Sequence, residues 1–390
     1  MAELLQRVSD IVWAESFWLP GNRTWDVLKN TDNGIYHAQL SDLLVPVYLS
    51  VAVYAVKYIF ENYVFGSIGH ALGLKAVVKK ATPNPHLENA YRVSKSPSND
   101  IIQGLAKQTD LTTRQVERWF RVRRNQDRTP VFKKFVESSW RGLFYFFIFW
   151  WGVWIHLDKP WFYETIHCWK GWPEHHISDD IYWYYMVEGA FYLSLLFSLF
   201  TDHKRKDFVE MVVHHVATLT LMTLSWVNNF VRIGTLVLLV HDAVDSSLEA
   251  AKVAKYIGQD KACEILFFTF MVVWVITRMT IFPFRIIYST MFESLPALEE
   301  ESNGLFTIYV VYNFLLCTLQ VLHIIWFYYI ALIAYDAVRG QMRKDSRSSL
   351  ESASESEDDT NQVKSGGDEA VKDGVTKALN GVVKTKNKTS

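Results

Sequence analysis

The chain has 390 residues and a formal net charge of −1; half of it is apolar and 15% aromatic, yet the mean hydropathy is only +0.03. Apolar residues must therefore be concentrated in some stretches and offset elsewhere, which argues against a string of two or three soluble domains. Cys168, Cys263 and Cys317 stand far apart and exclude a disulfide framework or a cysteine-rich zinc module.

At the N-terminus no basic segment precedes an apolar core, so no cleaved signal peptide is expected and the first span acts as an uncleaved anchor. Asn22-Arg-Thr24 is a glycosylation sequon. Seven stretches approach the roughly 17–25 apolar residues a spanning helix needs: Leu43–Phe60, Gly142–Leu157, Ile181–Phe200, Phe208–Val227, Phe230–Leu248, Ile265–Ile287 and Phe306–Tyr335. The second is short and the fifth carries polar residues. The expected fold is all-α: a polytopic bundle of about seven transmembrane helices, a small helical insert and a disordered acidic tail. The expected boundaries are 1–65 for the N-terminus and first span, 66–130 for the insert, 131–340 for the membrane domain and 341–390 for the tail.

Orientation follows from lysine and arginine. Segments 66–139, 202–206, 249–264 and 338–347 carry them and fall on one side of seven spans; 14 basic residues face 6 acidic ones between Gly66 and Ser139. Segments 158–180, 228–229 and 288–304 are poor in bases and share a side with the sequon. Both signals predict a lumenal N-terminus with Asn22 glycosylated, and a cytosolic C-terminus.

Within the insert, Asp100 to Gln126 reads as helix, turn, helix. Leu105, Leu111, Val116, Trp119 and Phe120 supply an apolar face, and Thr112 with Gln115 forms a capping box. The run Trp119-Phe-Arg-Val-Arg-Arg-Asn125 resembles the recognition helix of a homeodomain. Basic residues there would neutralise phosphates. The position at which homeodomains read adenine is Val122, which cannot hydrogen-bond a base edge, and the domain is short at its front. No sequence-specific DNA binding is expected; the basic face suits anionic lipid, the CoA end of a substrate or a protein partner.

The fourth and fifth apolar stretches hold most of the chemistry. Ionisable groups inside spans cost roughly 2.5–3.5 kcal/mol each on insertion scales, so their presence points to function. The fourth follows Lys204-Arg205-Lys206-Asp207 and contains His214 and His215; the fifth carries Arg232, His241, Asp242, Asp245 and Glu249. A short link near Asn228 makes the pair an antiparallel hairpin, which sets His214 level with Asp242 and His215 level with His241. His241, Asp245 and Glu249 share one helix face, and Asp207, Met211, His214 and Thr218 share another. His323 alone reads as a satisfied structural histidine. Three chemistries remain open: metal binding, a buried ion or proton relay, and acyl transfer with histidine as base or nucleophile and a carboxylate orienting it. Adjacent histidines point about 100° apart on a helix, so the first is disfavoured and no metal is expected. No repeat halves or broken helices support transport.

The string Asp202, Lys204, Lys206-Asp207-Phe208, Met211, His214-His215, Thr218, Leu221, Ser225-Trp226, Asn229, Arg232, Gly234, His241-Asp242, Asp245, Leu248-Glu249 and Lys252 resembles the long signature of ceramide synthases within a TLC domain. The early sequon, the homeobox-like insert, His167-Cys168-Trp169 and the acidic tail extend the likeness over nearly the whole chain. The resemblance implies an enzyme of the endoplasmic reticulum membrane that joins a fatty acyl-CoA to a sphingoid base, giving ceramide or dihydroceramide. It implies catalytic roles for His214, His215, Asp242 and Asp245. Lys204, Arg205, Lys206, Ser225, Asn229, Arg232, His241 and Glu249 are the expected substrate-binding residues. Acyl-CoA is a co-substrate, no resident cofactor is expected, and a homo- or hetero-dimer with other family members is allowed. TLC-domain proteins that bind or translocate lipids without chemistry are the alternative; they would not be expected to keep the histidines and aspartates together.

In that family the loop between the last two spans influences acyl-chain length, which here directs attention to Phe292, Glu293 and Ser294, a string closer to members preferring C16 chains. The tail after Arg343 is poor in apolar residues and rich in serine and acids, so it is expected to be disordered. Ser348, Ser352, Ser354 and Ser356 each precede an acid by three residues and are candidate phosphorylation sites. Lys386-Asn-Lys388-Thr-Ser390 has the form of a cytosolic retrieval signal.

Overall fold

The computed structural model describes residues 6–7, 10, 13–19, 24–30, 34–76, 79–201, 208–299 and 307–338. Asn22 of the sequon, the basic run 204–206, the tail serines and the terminal lysines lie outside them. Among the described residues the chain is helical and contains no strand. These residues divide into two compact units, one built on 79–128 and the other on most of the long helices.

In the larger unit the seven apolar stretches are seven long helices. The first, α1, is Leu44–Ile59 and continues through a wide π turn, Phe60–Phe65, into Gly66–Ala71. Three helices of the insert follow: α2 Pro85–Val93, α3 Asn99–Thr109 and α4 Thr113–Gln126. Then come α5 Val131–His156, α6 Asp179–Thr201, α7 Phe208–Val227, α8 Val231–Tyr256, α9 Asp260–Trp274 and α10 Thr307–Val338. After Trp274, α9 runs on as a π-helical stretch, Val275–Ile287, that contains Pro283. The chain is a multi-pass membrane protein: four of these helices are long and apolar enough to cross a bilayer by composition alone, namely Leu40–Ala71, Phe208–Val227, Asp260–Pro296 and Ile308–Ala337.

One boundary differs from the hydropathy reading. The second helix begins at Val131, not near Gly142, and is 26 residues long. Lys133, Lys134, Glu137 and Arg141 break the apolar run, but nothing in them breaks a helix, and Pro130 supplies a stop just before the first turn.

α8 lies at the centre, packed against α5 and α9, while α6 pairs with α1. Lipid tails are as apolar as the core, so helices associate in a bilayer through close packing rather than through hydrophobic burial. Glycines supply that approach. A Cβ on Gly152 of α5 would stand 2.9 Å from the Tyr184 hydroxyl and 3.0 Å from Leu239 Cδ1, and one on Gly142 would stand 3.2 Å from Glu249 Cβ. Large apolar side chains such as Tyr48, Val51, Phe268 and Phe314 face outward, the reverse of a soluble surface.

Asn229, with φ 55°, closes the α7–α8 hairpin in the left-handed region that asparagine tolerates. Its Nδ2 donates to the carbonyls of Pro173 (2.8 Å) and His175 (2.9 Å), which ties the 158–178 loop to the turn. Trp172 Nε1 donates to the Asn228 carbonyl at 2.8 Å, and Trp226 Nε1 to that of Gln39 at 3.0 Å. An aromatic cap thus seals this end of the bundle.

The smaller unit builds its own core from Leu87, Tyr91, Ile102, Leu105, Val116, Trp119 and Phe120, with Leu111 packed against it. The capping box is present: Thr112 Oγ1 accepts from the Gln115 amide, and Gln115 Oε1 accepts from the Thr112 amide at 2.8 Å. Arg123 does not face outward as a free basic group; it pairs with Glu88 (2.9 Å) and with Asp127. Partial burial pushes the Asp127 carboxyl up, but hydrogen bonds from Arg123, Tyr91 and Lys95 outweigh it and hold the group below its usual range. A depressed carboxyl contributes stability above its unfolded pKa and loses it as pH falls through the folded value. Amide-exchange protection of residues 85–126 in the full chain should therefore drop below about pH 4. Asp127→Asn should remove part of that acid dependence, and an identical profile in the variant would refute the assignment.

Candidate active site

The hairpin brings the ionisable groups together at mid-helix. The His214 ring stacks beside His241, centroids 6.4 Å apart, and touches His215 (5.4 Å) and Trp326 (5.4 Å). His241 is 3% exposed, and its Nδ1 lies 2.6 Å from the Val237 carbonyl one turn earlier. His215 sits near Tyr192 at 6.3 Å.

Asp242 is fully buried and does not orient His214. It faces Glu188 and Tyr184, with which it interacts, and none of these oxygens makes a well-formed hydrogen bond. Glu188, on α6, is itself fully buried.

Arg278, on the π-helical stretch, is the group the sequence reading missed. It is 3% exposed and spans the cluster. One terminal nitrogen donates to the His241 carbonyl at 2.7 Å and stands 3.6 Å from an Asp245 carboxylate oxygen. The other donates to His323 Nε2 at 2.9 Å, and the guanidinium lies over Trp274, 5.2 Å from its ring. Since arginine only donates, His323 Nε2 is an acceptor and its ring is neutral. His323, 5.0 Å from His241, belongs to the cluster rather than standing apart. The signal for Arg278 and Glu188 was available: charges inside apolar spans, the same argument that exposed α7 and α8.

Beside the cluster an apolar cavity runs along α8 from His241 to Phe230, about 16 Å at helical rise. Tyr192 and Thr218 line its inner end, and Trp169, Ser294 and Tyr309 its far end. Ser225 lines it too, hydrogen-bonded to the Tyr185 hydroxyl.

Other expected binding residues lie elsewhere. Arg232 donates to the His167 carbonyl at 2.9 Å and stacks 4.7 Å from the Trp161 ring, at the capped end with Asn229. Glu249 is held by Arg141 (3.2 Å) and Lys252 (2.8 Å) at the opposite end of α8. In the expected chain-length string, Phe292 is exposed and Glu293 accepts from Thr165 Oγ1 at 2.6 Å. Ser294 alone is buried at the cavity end, donating to the Thr290 carbonyl at 2.7 Å.

A family model described as the TLC domain matches residues 134–332, and one described as the homeodomain matches residues 84–129. The chain is 40% identical to ceramide synthase 5 of Homo sapiens over 369 residues, 94% of this chain and 93% of that protein. It is 42% identical to ceramide synthase 3 of Homo sapiens over 319 residues, 82% of each. To ceramide synthase hyl-2 of Caenorhabditis elegans it is 32% identical over 358 residues, 88% of this chain and 94% of that one.

Proposed function

The chain belongs to the ceramide synthase family, and from that premise we propose that it transfers the acyl group of a long-chain fatty acyl-CoA to the amine of sphinganine or sphingosine by way of an acyl group carried on His214. It is a sphingoid-base N-acyltransferase. The observation that carries the acyl-histidine route is the cluster of buried His215, His241 and Asp242 with partly buried His214 and Asp245, which meets a mainly apolar cavity through His241. The cavity suits an acyl tail, each buried methylene contributing about 0.8 kcal/mol. Apolar walls exclude the water that would hydrolyse an acyl-imidazole. A covalent relay also lets CoA leave before the second lipid enters, so a narrow cavity need not hold both tails at once.

In this reading the protein resides in the endoplasmic reticulum membrane with its N-terminus lumenal, on the strength of the basic segments that fall to one side, and acyl-CoA enters from that cytosolic side. The homeodomain-like unit, with Arg123 committed to internal ion pairs and Val122 at the reading position, serves no sequence-specific DNA recognition. The deciding experiment is intact-protein mass spectrometry of the purified chain after palmitoyl-CoA alone. A gain of one acyl chain, discharged by sphinganine with formation of dihydroceramide, is expected; amide formation with no adduct at any time would favour a ternary complex.

Chain length tests the cavity. A Cβ on Gly234 would meet the Tyr185 hydroxyl at 2.9 Å and Ser225 Oγ at 3.0 Å, both on the cavity wall. Gly234→Val should therefore narrow the cavity and bias products toward shorter acyl chains. Losing room for two methylenes costs roughly 1.6 kcal/mol, about a 15-fold preference. Product profiles from a mixture of acyl-CoAs would check it, and an unchanged profile would place the tail elsewhere. Grafting the 288–304 loop from another family member should also shift the profile, through Ser294.

A further inference from the structure

We propose that His241 is the base that takes the amine proton in the second half-reaction, when the sphingoid amine attacks the acyl group on His214; this rests on the acyl-histidine reading above. A carbonyl oxygen only accepts, so the Val237 carbonyl 2.6 Å from Nδ1 places the ring hydrogen on Nδ1. The neutral ring then presents its lone pair at Nε2. That atom is buried and has no hydrogen-bond partner, although the ring stands on the wall of the cavity. A buried polar atom left unsatisfied costs about 1–3 kcal/mol, and such atoms call for a functional explanation.

Of the cluster's histidines, His214, His215, His241 and His323, it is His241 that lines the cavity. His323 Nε2 already accepts from Arg278. Arg278 also donates to the His241 carbonyl, which fixes the backbone that aligns the ring. Asp242, the next residue, faces Glu188 and Tyr184 and does not line the cavity, and Asp245 pairs with Arg278. The His214 ring, stacked against His241, is within reach of a group that bonds both an acyl carbon on one ring and a proton acceptor on the other.

In the step, the neutral amine nitrogen bonds the acyl carbon and the bond from that carbon to the His214 ring nitrogen breaks. The electron pair returns to His214, and the amine proton passes to His241 Nε2. The amide leaves, and His241 passes the proton to the His214 ring nitrogen that has lost the acyl group, so both rings end neutral. General-base assistance of this kind contributes about 10²–10⁴-fold.

The test separates the half-reactions in the full-length protein. With palmitoyl-CoA alone, His241→Asn should form the acyl adduct and release one equivalent of CoA thiol, as the wild type does. Addition of sphinganine should then discharge the variant's adduct at least about 100-fold more slowly, with hydroxylamine still removing it. Adduct formation itself reports that the variant is folded, and His241→Gln repeats the measurement with a longer side chain. Discharge at the wild-type rate in either variant overturns the proposal. So does failure of both variants to take up acyl groups where the wild type does, because His241 would then act in the first half-reaction. A wild type that never carries an adduct defeats the acyl-histidine reading beneath it, a result distinct from the other two.

Discussion

Replacing His214 with alanine is expected to lower kcat/KM for ceramide formation by at least about 10³-fold, the range expected when a nucleophile or general base is removed. The ring lies at the junction of three others, His215, His241 and Trp326, and no second imidazole on α7 takes its place, since His215 turns toward Tyr192. The side chain is only partly buried, so the loss should come without unfolding, and the melting temperature in detergent should move little. Rate assays with sphinganine and palmitoyl-CoA, run beside intact-mass spectra, check both parts. Residual activity above a tenth of the wild type would move the acyl acceptor to another residue. Loss of activity in a protein whose wild type carries no acyl group would leave His214 as a proton acceptor only.

What the sequence made legible here is what charge inside apolar runs makes visible. His214, His215, His241, Asp242 and Asp245 stood out because five such groups in two adjacent runs are costly in lipid, and a short link forces those runs together. The particular partner of each was not legible. Counting residues from the turn set His214 level with Asp242, but level is not contact: rotation about each helix axis turns Asp242 toward α6 and leaves His214 against His241. Glu188 and Arg278 arrive from other helices, Glu188 as the lone charge of its apolar run and Arg278 beside Arg285 in its own, and only the fold brings them to the cluster. The same is true of Arg141, whose pairing with Glu249 joins residues 108 apart. The 131–141 segment was missed for a different reason. Hydropathy counts charge, whereas helix formation responds to backbone propensity, and lysine, glutamate and arginine are good helix formers.

Arg278 carries the largest expected structural effect. Arg278→Met should destabilise the protein by about 3–5 kcal/mol, the usual cost of leaving one member of a buried pair without its partner. Three groups lose their donor at once: the Asp245 carboxylate, the His241 carbonyl and His323 Nε2. Arg278→Lys keeps the charge but not the planar fork, and one ammonium cannot reach along both arms, so an intermediate loss is expected. The pairing can be separated from mere bulk by a second change. In Arg278→Met combined with Asp245→Asn neither charge remains unpaired, so stability should recover in part, with a coupling of about 1–3 kcal/mol in the double-mutant cycle. Activity should not recover, since the guanidinium would still be missing from the His241 backbone. Thermal melts of the four proteins in one detergent, read beside acyl-transfer rates, supply the comparison. Additive losses would mean that Arg278 and Asp245 are neighbours without being partners, and the cluster would have to be held together by packing alone.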